Sequence, residues 1–160
     1  MKKIFLTLIV LSAILMASVS MAAVGTYTVT TQSFTEGGIV AKIVYKGSST
    51  DGSVPDVVLG KEVWKANLGR VYLYSVRAYP VTDGVSPDAA DVKLLNIRST
   101  DLLGGEGTNL ISPTVEQETE PYNTFTQKNK YPLVTSPLTV RTENQATVDA
   151  DFVVEVEAIR

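Results

Sequence analysis

From residue 148 to residue 158 the chain alternates apolar and acidic side chains one by one. Val148, Ala150, Phe152, Val154 and Val156 fall on one side, and Asp149, Asp151, Glu155 and Glu157 on the other. A period of two belongs to a strand, whose successive side chains point to opposite faces, and it predicts one buried face and one wet face here. Only Val153 interrupts the pattern. Residues 25–33 alternate in the same way, with Tyr27 and Val29 set against Thr26, Thr28 and Thr30. In 39–46, Ile39, Ala41, Ile43 and Tyr45 share a side. The run 70–79 is β-branched and aromatic on both sides, which suits a central strand. Segments 91–97 and 138–142 complete the set, and 62–66 is a weaker candidate.

Turn-forming clusters separate these runs: Gly37-Gly38, Gly47 to Gly52, Asp83-Gly84, Ser86-Pro87-Asp88, Gly104-Gly105 and Asn144. A turn about every ten residues predicts an all-β chain, an antiparallel β-sandwich of jelly-roll or Ig-like type, with a small β-barrel as the alternative. Residues 101–111 are the place for a short helical turn, and 112–132 read as a long, polar, proline-bounded loop.

The first 22 residues have the pattern of an export signal rather than of a fold. Lys2 and Lys3 precede an apolar run from Ile4 to Met16, and Ser20 and Ala22 provide small side chains for cleavage after Ala22, with Ala23 next best. An uncleaved anchor over Ile4–Ala23 is the competing reading, and the serines, threonines and small-residue cluster favour cleavage. With no cysteine in the chain, a lipid anchor on cysteine is excluded. Cleavage takes two lysines from the 14 basic residues and none of the 17 acids, leaving 12 against 17, a net charge of −5. Residues 23–160 then form one β-sandwich domain, periplasmic or extracellular, with no stable membrane insertion. Its acidity opposes nucleic-acid binding.

The absence of histidine and cysteine removes the commonest general base, thiolate nucleophiles and the usual transition-metal ligands. The glycine loop Asp101, Gly104, Gly105, Gly107 and Asn109 lacks the lysine of a phosphate cradle and has Glu106 among its glycines, so it reads as a structural turn with positive φ. Asp83, Asp88 and Asp91 are a weak calcium candidate, since such acids are also ordinary turn formers. Asp149, Asp151, Glu155 and Glu157 read as a wet strand face rather than as paired hydrolytic carboxylates. Trp64, Tyr72 and Tyr74, with Tyr79, would suit a sugar-stacking platform, although packing in the core or at a subunit surface is the preferred reading. Tyr122, Phe125 and Tyr131, in the long loop, suggest a contact surface with a neighbouring subunit.

Residues 79–109 carry a resemblance. Pro87, Asp91, Val92, Leu94, Asp101, Leu103, Gly104, Gly105, Gly107 and Asn109 fit a strand–turn–strand–glycine-loop pattern. Pro137, Leu138, Thr139, Val140 and Asn144 fit a closing strand pair. In these the chain resembles small β-rich proteins encoded among phage and prophage structural genes, over about its last 90 residues. The resemblance implies a non-catalytic virion or assembly component acting as an oligomer. The leader is a departure from that group, whose members assemble in the cytoplasm.

Together these readings predict an exported, non-catalytic β-sandwich with a structural or binding role, self-associating and without a cofactor. A phage-derived virion component and a carbohydrate-binding module are the alternatives. The corresponding partners are a second copy of the chain, a cell-surface or virion protein, or a glycan.

Overall fold

The computed structural model describes residues 24–33, 38–64, 71–121, 131–134 and 137–159, and the proposed leader, with Tyr122 and Phe125, lies outside them. Two antiparallel sheets form an all-β sandwich that is not closed into a barrel. The strands are β1 (Thr26–Ser33), β2 (Ile39–Lys46), β3 (Val57–Leu59), β4 (Tyr72–Pro80), β5 (Asp91–Leu95), β6 (Gln117–Thr119), β7 (Leu138–Glu143) and β8 (Asp151–Ile159). A single helical turn, α1 (Lys61–Trp64), follows β3. The larger sheet runs β1-β2-β8-β4-β6 and the smaller β3-β7-β5.

Register follows from which side chains must leave water. Ile39, Ala41, Ile43 and Tyr45 of β2 align with Ala158, Val156, Val154 and Phe152 of β8, and all eight are fully buried. Leu73, Val76 and Ala78 of β4 continue the same inner face. A one-residue slip would turn these rows into solvent, so the register is fixed by burial. Val57 and Leu59, Leu138 and Val140, and Val92 and Leu94 close the core from the smaller sheet. The buried Tyr45 and Phe152 rings stack at 4.9 Å.

Several sequence-based expectations are corrected. Segment 62–66 is not a strand: residues 61–64 form α1, which places Trp64 in the core. The expected helical turn at 101–111 is instead a run of tight turns, because Gly104 and Gly105 take φ of 60° and 92° and cannot continue a helix. The long loop 112–132 includes β6, paired to β4. Strand β8 begins at Asp151; Asp149 has φ 54° in the preceding turn and Val148 is exposed. Strand β3 has no sequence signal beyond three apolar residues after Pro55–Asp56.

Candidate functional site

The glycine loop is built onto the edge of β5. The Leu102 amide donates to the Leu94 carbonyl at 2.8 Å and the Val92 amide to the Gly107 carbonyl at 2.9 Å. Asp101 fastens the loop: Oδ1 accepts from the amides of Leu94 (3.1 Å) and Leu103 (3.0 Å), and Oδ2 from that of Gly105 (3.2 Å). Leu103 then drops into the core. Asp91 secures the far end, with Oδ1 accepting from the Asn109 amide and Oδ2 from Asn144 Nδ2, both at 2.8 Å. Gly107 lies flat against β5, where a Cβ would run into the Val92 carbonyl oxygen. The residues carrying the resemblance thus form one unit that covers a sheet edge.

Asp88 is used in the same manner at the other end. Its Oδ1 accepts from Thr147 Oγ1 at 2.6 Å and its Oδ2 from the Ala146 amide at 2.9 Å, and these bonds hold its carboxyl below the usual carboxylate range. Asp83 is a turn residue with φ 63°. Among the described residues no three acids come together to hold a metal, so Asp83, Asp88 and Asp91 do not form the calcium site considered above. Two of them are engaged in joining loops.

Comparison with family models, with curated proteins and with solved structures finds no match.

The wet face of β8 faces partners on β2 and β4. Tyr79 Oη donates to Glu155 Oε1 at 2.7 Å, and Lys42 Nζ lies 3.8 Å from that carboxylate and 5.6 Å from the Tyr79 ring centre. Burial and then the bond to Glu155 push the Tyr79 phenol up, and the bond to Tyr79 raises Lys42. Arg77 lies 3.5 Å from Glu157 and 3.4 Å from Glu116. The result is an ionic lattice across three strands, in which the carboxylates act as acceptors and the phenol stays protonated at neutral pH.

The aromatic candidates divide. Trp64 is only 7% exposed and belongs to the core, so it does not join Tyr72 and Tyr74 on a surface. Tyr72 sits beside Ile159 on the outer register of β4, and Tyr74 occupies the bulge between Leu73 and Ser75. The structure does bring Tyr74 and Tyr131 together, with ring centres 5.1 Å apart and planes tilted by 51°. A cleft of about 310 Å³ opens nearby, lined by Asn96, Ile97, Arg98, Leu102, Leu133 and Leu138 among others. Sequence reasoning had no signal for it beyond an isoleucine inside the polar turn Asn96-Ile97-Arg98-Ser99-Thr100.

Proposed function

We propose that the chain is an exported, non-catalytic β-sandwich with a structural role, acting in the periplasm or outside the cell as an assembly of like subunits. The observation that carries this reading is the use to which its polar groups are put. Asp88, Asp91 and Asp101 each accept from two or more donors, in loops or, for Asp101, also in β5, and Glu155 and Glu157 serve an ionic lattice. Such investment favours a rigid scaffold without disulfides over a site that must change protonation or ligand. The half-exposed Tyr74–Tyr131 pair, at the end of loop 112–132, supports a contact surface there. Native mass spectrometry of protein from the export fraction tests both parts. A chain beginning at Ala23 or Val24 in a discrete oligomer is expected; a chain beginning at Met1, or a monomer at every concentration, overturns the corresponding part.

Two other readings have a specific observation in their favour. Tyr74 and Tyr131 would suit a sugar-stacking surface, for which a glycan array at high protein concentration is the test. The compact unit of Asp91, Asp101 and the glycine loop supports kinship with phage-encoded structural proteins, to be tested by looking for the chain in purified particles.

A further inference from the structure

Strand β1 differs from every other sheet edge in the described chain. The free side of β5 is covered by the glycine loop, and the first part of β4 by residues 132–134, through Leu73 N to Pro132 O and Val134 N to Val71 O. Strands β3 and β6 are each only three residues long, and β6 has Glu116, Glu118, Glu120 and Pro121 around it. Short length, charge and proline are the usual means of keeping an edge from pairing with another chain. Strand β1 has none of them: it is eight residues long, Thr26–Ser33, with the sequence TYTVTTQS. Threonine, tyrosine and valine favour the pleated conformation. The smaller sheet does not reach over it, so seven of its eight residues are exposed and Val29 is half-buried, and Tyr27 keeps 44% of its surface in solvent. On one side it pairs with β2 along its whole length; among the described residues its other side pairs with nothing.

The geometry points to β1 as a self-pairing interface, in which β1 of a second copy adds antiparallel to β1 of the first about a two-fold axis and joins the two larger sheets into one. This specifies, and rests on, the self-association proposed above. Two observations and the proposed cleavage select a second copy as the occupant. Among the described residues length matches there alone, since β3 and β6 of a neighbour offer three residues each against eight. Charge allows it: β1 carries no ionised side chain, and the facing row of β2 has only Lys42 and Lys46, so the seam escapes the repulsion expected elsewhere between acidic copies. Finally, cleavage after Ala22 would leave only Ala23, Val24 and Gly25 ahead of β1, and Gly25 is already tied to the Ser53 carbonyl. A two-fold that keeps inner faces together centres the pairing on Val29 or on Thr30. In the first register Thr28 faces Thr30 of the other copy; in the second Thr30 faces itself.

The test uses the processed chain, its variant Thr28→Lys/Thr30→Lys, and the uncharged control Thr28→Val/Thr30→Val, all checked for the same circular dichroism. Either register sets lysine against lysine in the charged variant. Light scattering should show at least a tenfold weaker assembly for it, and no weakening for the control. Because the chain contains no cysteine, single Val29→Cys and Thr30→Cys variants report the register directly: one of them should oxidise to a covalent dimer, while Glu118→Cys on β6 should not. If the natural chain assembles, the lysine variant assembles equally well and neither cysteine cross-links, the β1 interface is wrong and self-association stands. If the natural chain is monomeric throughout, self-association itself fails and this interface with it.

Discussion

Gly107 and Val92 are held backbone to backbone: the Val92 amide donates to the Gly107 carbonyl at 2.9 Å, and the Gly107 α-carbon lies where any side chain would overlap the Val92 carbonyl oxygen. The obstacle is strand backbone, which cannot swing aside as a side chain can. Gly107→Ala should therefore cost about 3 kcal/mol, the upper part of the range for overpacking a tight site. Gly105 makes the contrast, because a Cβ there meets nothing within 4 Å although φ is 92°. Gly105→Ala should cost only about 1 kcal/mol, from backbone conformation alone. Urea unfolding of the two variants gives the comparison, and equal losses would remove the edge-covering account of the loop.

Tyr45 presents the opposite case, a polar group the core does not use. Its ring stacks on Phe152, but its hydroxyl is buried without a partner among the described residues. Tyr45→Phe should raise stability by about 1 kcal/mol, since an unsatisfied buried hydroxyl is removed and the ring contact kept. Burial, followed by the field of Asp56, pushes this phenol far above its ordinary value. A phenol whose folded pKa is raised contributes stability that is complete below the unfolded value, about 10, and is lost as pH rises through the folded value. The natural chain should weaken above about pH 10, and Tyr45→Phe should flatten that alkaline limb in thermal melts recorded from pH 8 to 11.

Asp88 contributes on the acid side. Its pKa is lowered, first by the Thr147 hydroxyl and then by the Ala146 amide. A depressed carboxyl contributes stability that is present above the unfolded value, about 3.9, and is lost as pH falls through the folded one. Asp88→Asn should cost about 1 kcal/mol at pH 7, the scale of one weakened hydrogen-bond pair. The gap to the natural chain should close as the pH is lowered below 4, measured by urea midpoints across that range. A gap that stays constant with pH would show that shape, not charge, holds the 145–147 loop.

How far the fold was legible depends on where side chains have to alternate. Strands β2 and β8 could be located because burying Ile43 and Val154 dictates a period of two. Val57–Leu59 gave no such signal: three residues are too few to show a period, and β3 exists because β7 offers an edge. Gln117–Thr119 is a strand for the same reason, through pairing with Val76 to Ala78. Trp64 read as an exposed aromatic because the Glu62-Val63-Trp64 alternation fits strand and helical turn alike, and only the packing of α1 decides. Of the candidate sites, the turn geometry of the glycine loop was in the sequence. What it covers was not, because the neighbour of an edge is a property of sheet order. The open side of β1 was hidden for the same reason.

Val153 is the residue that broke the alternation, and the structure gives the reason. It faces away from the core, is absent from the core cluster, and is still only 3% exposed. Val44 pairs with it from β2 and Tyr79 from β4, and the Tyr79–Glu155–Lys42 lattice lies alongside. The wet face thus has a dry strip beneath its ion pairs. Val153→Glu would restore perfect alternation and should nevertheless destabilise the protein by about 3 kcal/mol, because it puts a carboxylate into a dry position beside the existing acids. Val153→Ala should lose about 2 kcal/mol, from buried methyl groups alone. At Val148, 44% exposed in the preceding turn, the same change to glutamate should stay within about 0.5 kcal/mol of the natural chain. Urea midpoints for the three variants measure this order, and a Val153→Glu variant as stable as the natural chain would show that the strip is open to water.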